Sequence, residues 1–124
     1  MTLQDISIIS VPVSDSAQAK AFYVDVLGFK VVRDNPMGPG MQWVELSATG
    51  GSPTISLVTW FETMPAGSQK RLVILSNDID ADREALLAKG LEVSDIQAQP
   101  YGQFAMFSDP DGNGWVMQGP PKSA

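Results

Sequence analysis

Acidic and amide side chains near the end of the chain have the spacing of a metal-binding loop. Asp109, Asp111 and Asn113, followed by Gly114, match the first half of an EF-hand calcium loop. That loop requires a bidentate glutamate at its twelfth position, and Pro120 occupies this position here. The run therefore predicts a turn between two strands, closed by hydrogen bonds from side chains to the backbone.

Glu45 is the polar residue whose position most suggests chemistry, because it lies within an apolar predicted strand, Met41 to Ser47. In an apolar pocket a carboxylate can act as a general base or as an anchor for a cationic ligand. The alternatives are that Glu45 forms an ion pair with Arg33 or faces solvent.

The sequence contains no histidine and no cysteine. This excludes Ser-His-Asp and Cys-His nucleophiles, zinc sites built from these residues, iron–sulfur clusters and thiol redox chemistry. Any activity must be performed without imidazole or thiol.

The charge balance limits the partners. Eight Lys and Arg residues against 14 Asp and Glu residues give a net charge of −6. Such a surface repels phosphate backbones and anionic lipids, so we expect no nucleic-acid and no membrane partner. The start of the chain has no basic targeting segment, and we expect a cytoplasmic location.

The 124 residues predict one domain over 1–124, in which segments 1–63 and 64–120 repeat the same order of elements. In each segment a strand leads to an aspartate-capped helix that a glycine ends, from Asp15 to Gly28 and from Asp78 to Gly90. The predicted strands are 6–13, 29–33, 41–47 and 54–60, then 72–75, 91–93, 101–108 and 114–118, with a loop at 34–40. This order predicts two βαβββ modules.

The chain resembles the glyoxalase/bleomycin-resistance/extradiol-dioxygenase superfamily, which has the vicinal oxygen chelate fold. The resemblance lies in Val13-Ser14-Asp15, in the segment from Ala21 to Phe29, and in the closing segment from Asp109 to Gln118. It implies an α+β fold in which two βαβββ modules form an open, cup-shaped mixed sheet, usually in a homodimer.

Four strand positions of this chain correspond, by the resemblance, to the metal-ligand positions of the superfamily's enzymes, and they hold other residue types. The resemblance places them at Ile8, Ser56, Leu72 and Val116, where relatives typically have His or Glu. Three of these side chains are aliphatic and one is a hydroxyl, so we expect no metal and no other cofactor. The chain is therefore most similar to the metal-free, drug-sequestering members of the bleomycin-resistance type.

Strand alternation in this fold predicts an apolar cup with two tryptophans, hydroxyls, an amide and one carboxylate. The candidate ligand-binding residues are Ile8, Ser10, Trp43, Glu45, Ser56, Val58, Trp60, Leu72, Ile74, Tyr101, Gln103, Val116 and Gln118. Tyr101 and Gln103 are placed at the mouth. A role in the core or in a dimer interface is the alternative for Trp43 and Trp60. Trp115, of opposite phase, is predicted to lie in the core.

The resulting hypothesis is a homodimeric protein that binds and sequesters a small aromatic or cationic molecule, including antibiotics, without altering it. The alternative is an enzyme of the same superfamily that uses Glu45, with Tyr101 as a second candidate, for acid–base chemistry on an aromatic or polyketide-like substrate. A stand-alone regulatory domain is the third possibility.

Overall fold

The computed structural model describes residues 1–122 and has two four-stranded mixed sheets with few helices, an α+β fold. The elements follow in the order β1 (Ile8–Pro12), α1 (Ser16–Ala21), β2 (Lys30–Gly38), β3 (Met41–Ser47), β4 (Thr54–Val58), β5 (Leu72–Leu75), α2 (Ile79–Ala88), β6 (Gln97–Gln99), β7 (Gly102–Ser108) and β8 (Gly114–Gly119). Helix α1 continues into a π-helical segment, Phe22–Val26.

The two sheets have the same topology. The first sheet has the strand order β1-β4-β3-β2 and the second has β5-β8-β7-β6. In each, the first strand pairs in parallel with the last, and the other pairs are antiparallel. The repeated βαβββ order predicted from the sequence is therefore present.

Helix capping follows the predicted chemistry in both halves. The carboxylate of Asp15 accepts hydrogen bonds from the amides of Ala17 and Gln18 at 2.9 and 3.0 Å, and Asp78 accepts one from Ala81 at 3.1 Å. Gly28 and Gly90, which end the helical segments, both have left-handed φ angles, of 77° and 86°.

Two predicted strands differ from the structure by more than two residues. Strand β2 runs on through Gly38, although 34–40 has the composition of a loop. Because β2 is an edge strand, a position where proline is accepted, it can include Pro36. The segment 91–93 is not a strand: Leu91 and Val93 pack against the core, and pairing with β7 begins only where the amide of Ser94 donates to the carbonyl of Met106.

One hydrophobic core lies against the helix-bearing faces of both sheets. Tyr23 is fully buried in it, with its ring centroid 5.5 Å from that of Phe29 and 5.9 Å from that of Trp115. The ring of Phe107 stacks on that of Trp115, with 6.3 Å between the ring centroids. Aromatic rings from both halves of the chain thus meet in the middle of the molecule, as predicted for Trp115.

The turn 109–113 joins the two halves by hydrogen bonds. The amide group of Asn113 donates to the carbonyl of Pro12 at 2.7 Å and to Asp109 at 2.8 Å, while its oxygen accepts from the backbone of Gln69 at 3.0 Å. Asp109 also accepts from the backbone amides of Asp111 and Asn113, which confirms the predicted closure of this turn. Within residues 1–122 no helix is long and apolar enough to cross a membrane.

Candidate functional site

The face of the first sheet that points away from the helix carries the predicted residues of strands β1, β3 and β4. Register places Ser10 opposite Ser56, and Ser56 opposite Glu45 on its other side. Alternation puts these residues on one face. We call this the open face, and it comprises Ile8, Ser10, Trp43, Glu45, Ser56 and Val58. The structure therefore brings these six predicted residues together.

Glu45 is held in the open face by two side-chain donors. The indole Nε1 of Trp43 donates to its Oε1 at 3.1 Å, and the hydroxyl of Thr54 donates to its Oε2 at 2.7 Å. Only 6% of the Glu45 surface is exposed. A carboxylate can accept about four hydrogen bonds, so these two donors leave half of its accepting capacity for a ligand.

Arg33 lies opposite Glu45 in the β2–β3 register but makes no ion pair with it. The ion pairs among residues 1–122 join Lys20 to Asp34 and Arg83 to Asp95. Both alternatives for Glu45, a pair with Arg33 and a solvent-facing position, are therefore wrong. The carboxylate is buried without a cationic partner.

Thr54 was missed by the sequence analysis, although a signal for it was available. It has the same phase as Ser56 and Val58 in the alternating pattern of β4, which places it on the open face. The predicted strand 54–60 included Thr54 as its first residue, but the candidate ligand-binding residues taken from this strand began at Ser56.

The two tryptophans predicted for the cup differ in their surroundings. Trp43 is half-buried on β3 and is oriented by its bond to Glu45. Trp60 lies beyond the end of β4, where its ring centroid is 5.8 Å from that of Phe61. Trp43 is therefore the aromatic side chain that the structure fixes beside the buried carboxylate.

In the second sheet, the predicted phase of β5 is wrong. Register pairs Leu72 with Trp115 and Ile74 with Met117, so Leu72 and Ile74 pack on the core side, away from Val116 and Gln118. The sequence count placed β5 one residue out of step, and a shift of one residue exchanges the two faces of a strand.

The residues that share the face of Val116 and Gln118 are apolar and were missed. They are Val73 and Leu75 on β5 and Phe104 and Met106 on β7. Val73 is 56% exposed and Leu75 is 78% exposed. The signal for them was the same alternation, read from Val116 rather than counted from the helix cap.

Tyr101 and Gln103 do not lie together. Tyr101 is 71% exposed at the turn before β7, near Phe104. Gln103 is buried opposite Gly119, on the side of the sheet where Ile79 of α2 packs, and its Nε2 donates to the carbonyl of Pro120 at 3.0 Å. Its buried Oε1 has no hydrogen-bond partner in the part of the chain that the structure describes.

The residues at the superfamily's metal-ligand positions do not fit a metal ion. Ile8, Ser56 and Val116 offer no carboxylate or imidazole, and correcting the phase of β5 replaces Leu72 by Val73, which is also aliphatic. Within residues 1–122, no three carboxylates lie close enough together to hold a metal. The polar groups of this face are hydroxyls, the Trp43 indole and one buried carboxylate.

A groove of about 870 Å³ opens beside the last residues of β7 and the first residues of β8. Of the predicted residues only Val116 lines it. Its other walls come from the π-helical segment, the segment after α2 and the residues just before β5. This groove and the open face of the first sheet are therefore separate features.

Comparison with known proteins places these features in context. A family model described as the Glyoxalase/Bleomycin resistance protein/Dioxygenase superfamily matches residues 5–117. The structure of TnmS3, an antibiotic binding protein from Streptomyces sp. CB03234, is 40% identical, with a TM-score of 0.91 over 97% of this chain and 98% of that one.

Two further relatives are similar to this chain over nearly their whole length. A glyoxalase/bleomycin resistance protein from the same Streptomyces strain is 40% identical, with a TM-score of 0.83 over 92% of this chain and 99% of that one. The uncharacterized protein YetH of Bacillus subtilis is 29% identical over 120 residues, which is 94% of this chain and 98% of YetH. The similarity thus extends over nearly the whole of each chain.

Proposed function

The chain belongs to the glyoxalase/bleomycin resistance protein/dioxygenase superfamily, and we propose that within it the protein sequesters a small aromatic or cationic molecule, an antibiotic above all, without a metal and without altering it. The observation that carries this proposal is the buried carboxylate of Glu45 on the open face, which Trp43 and Thr54 hold and which forms no ion pair within residues 1–122. The similarity to TnmS3, itself an antibiotic binding protein, supports it.

The chemistry of the open face favours a flat ligand with a cationic or hydrogen-bond-donating group. The Trp43 ring offers an apolar surface for stacking, and burying an aromatic ring of about 150–250 Å² is worth roughly 4–6 kcal/mol before association costs. Glu45 then accepts from the polar group of the ligand, which fixes its orientation.

The full binding cup is proposed to form between two copies of the chain. Within one chain the helix-bearing faces of both sheets share the core, so the open face and the face of Val73 and Leu75 do not enclose a common space. A homodimer in which the open face of one copy lies over the second sheet of the other covers these exposed apolar side chains. Gln118 of the second sheet then supplies an amide to the same ligand.

The test is a titration with a panel of aromatic and cationic antibiotics that includes bleomycin, followed by tryptophan fluorescence. We expect quenching for at least one compound, which mass spectrometry then recovers intact. The Glu45→Gln variant should bind at least about tenfold more weakly, because a charge-assisted hydrogen bond is lost. Glu62→Gln, a change at an exposed carboxylate, is the matched control.

Two outcomes contradict the proposal. If no compound of the panel binds, or if Glu45→Gln binds as tightly as the original protein, the open face is not the recognition surface. If the compound is recovered chemically changed, and turnover is lost in Glu45→Gln, the protein is an enzyme that uses this carboxylate as an acid or base.

A further inference from the structure

We propose that the groove beside the last residues of β7 and the first residues of β8 is a second binding site, for an amphiphilic organic anion. Such a molecule has an apolar body and a carboxylate, sulfonate, sulfate or phosphate group at one end. The groove volume of about 870 Å³ lies within the roughly 300–1,000 Å³ typical of small-molecule sites. The groove shares Val116 and Met106 with the second-sheet face that the proposed homodimer covers, but its charged lining is cationic, whereas that of the open face is the Glu45 carboxylate.

The charge of the groove opposes that of the protein. Lys70, Arg71 and Lys89 line it, three of the eight Lys and Arg residues of the chain. Only Glu92 and Asp109 of the 14 acidic residues do so. A local excess of cations on a protein of net charge −6 favours an anion at this place.

The acidic residue Asp109 forms no ion pair with these cations within residues 1–122, and its oxygens accept hydrogen bonds from other groups. Oδ2 accepts from the hydroxyl of Tyr23 and the amide of Asn113, and Oδ1 accepts from two backbone amides. Lys70 and Lys89 donate to backbone carbonyls, of Gly112 at 2.8 Å and of Asp25 at 3.0 Å. These bonds fix the two ammonium groups and leave each with further N–H donors.

Arg71 is the cation that the anion would meet directly. It forms no ion pair with any carboxylate of residues 1–122. Its φ of 59° is the only left-handed value of a non-glycine residue in that range. An arginine in this conformation carries backbone strain that a glycine would not, and such strain is typical of positions kept for function.

The other walls of the groove suit the apolar body of the ligand. They include Phe22 and Val26 of the π-helical segment, Leu91 and Val93 after α2, and Met106 of β7. The groove opens where the pairing of the β6 side with β7 ends, at Ser94 and Met106. Within residues 1–122, the last residues of β7 have no strand partner on that side. An apolar cleft edged by a planar guanidinium can bind both ends of an amphiphilic anion.

The probe is 8-anilinonaphthalene-1-sulfonate, an aromatic sulfonate whose fluorescence rises in apolar surroundings. N-phenyl-1-naphthylamine, which has the same rings without the sulfonate, is the neutral control. We expect the Arg71→Gln variant to bind the sulfonate about tenfold more weakly, from the loss of a charge-assisted hydrogen bond, and to bind the neutral control unchanged. Added salt should weaken only the sulfonate.

Matched variants decide where the probe binds. Lys30→Gln, which removes an exposed cation away from the groove, should leave the affinity for the sulfonate unchanged. Arg71→Gly removes the side chain and the strain together, so we expect this variant to fold, and circular dichroism verifies that a loss of binding does not arise from unfolding. The proposal is overturned if Arg71→Gln and Arg71→Gly bind the sulfonate normally, or if Lys30→Gln loses as much. Loss in Glu45→Gln instead would assign the probe to the open face.

Discussion

The indole Nε1 of Trp115 donates a hydrogen bond of 3.0 Å to the phenolic oxygen of Tyr23, 92 residues earlier in the chain. The Tyr23 hydroxyl in turn donates to Asp109 at 2.8 Å. Three buried polar groups from both halves of the molecule thus satisfy one another inside the aromatic core. A buried network of this kind is costly to interrupt, because each removed group leaves its neighbours without partners.

Replacing Tyr23 by phenylalanine should lower the free energy of unfolding by about 1–3 kcal/mol, since Trp115 and Asp109 each lose a hydrogen bond. Urea unfolding followed by circular dichroism measures this. Tyr101→Phe, which changes a side chain that is 71% exposed, should alter stability by less than about 0.5 kcal/mol. Equal effects of the two changes would mean that the buried network does not stabilise the fold.

Alkaline pH should destabilise the protein through Tyr23. Burial, reinforced by the negative charge of Asp109, raises the pKa of the Tyr23 hydroxyl well above its ordinary value. Above pH about 10 the unfolded chain therefore releases this proton while the folded protein retains it, and stability falls by up to about 1.4 kcal/mol per pH unit. Unfolding measured between about pH 8 and 11 should give a steeper decline for the original protein than for Tyr23→Phe.

Gly67→Ala should lower the free energy of unfolding by about 2 kcal/mol or more. Gly67 has a φ of 82°, and a Cβ added there would lie 2.1 Å from the carbonyl oxygen of Asp111. Gly90→Ala is the matched control, because Gly90 has a similar φ of 86° with nothing within 4 Å of an added Cβ. Its cost should be only about 1 kcal/mol, from the backbone conformation alone. Thermal unfolding of the two variants side by side tests the difference.

Leu75→Arg should weaken the proposed homodimer without unfolding the single chain. Leu75 is 78% exposed in the chain, so Leu75→Arg should leave the unfolding of the monomer nearly unchanged while weakening the proposed homodimer at least tenfold. Leu72→Arg, three residues earlier and packed against the core, should instead lower the free energy of unfolding by about 2 kcal/mol or more. Light scattering after gel filtration reports the mass of each variant. A Leu75→Arg protein that dimerises like the original would contradict the proposed arrangement.

Local patterns were sufficient to predict much of the fold. The caps Asp15 and Asp78 and the glycines Gly28 and Gly90 satisfy hydrogen-bonding and conformational needs within a few residues, so their types reveal the helix ends. The placement of Glu45 on the face of Ser56 also follows from alternation along each strand.

The errors arose where long-range pairing decides the outcome. The face of Leu72 depends on its register with Trp115, 43 residues later, and counting from the nearest helix cap cannot fix that register. Pro36 favours a loop by its residue type, and only its place on an edge strand allows it to lie within β2. The bond from Trp115 to Tyr23 and the groove beside β7 both depend on how two distant halves of the chain pack, which no local pattern encodes.

The division between the two faces of the first sheet has a consequence for how ligand preference can change over generations. Leu46 and Leu57, which hold the fold together, point to the side opposite Ser10 and Ser56. Exchanges at Ile8, which is 42% exposed, and at half-buried Ser10 can therefore alter the shape and polarity of the proposed recognition surface without disturbing the core. Such a sheet can be diversified for new molecules, in nature or in a library, while the same interior continues to support it.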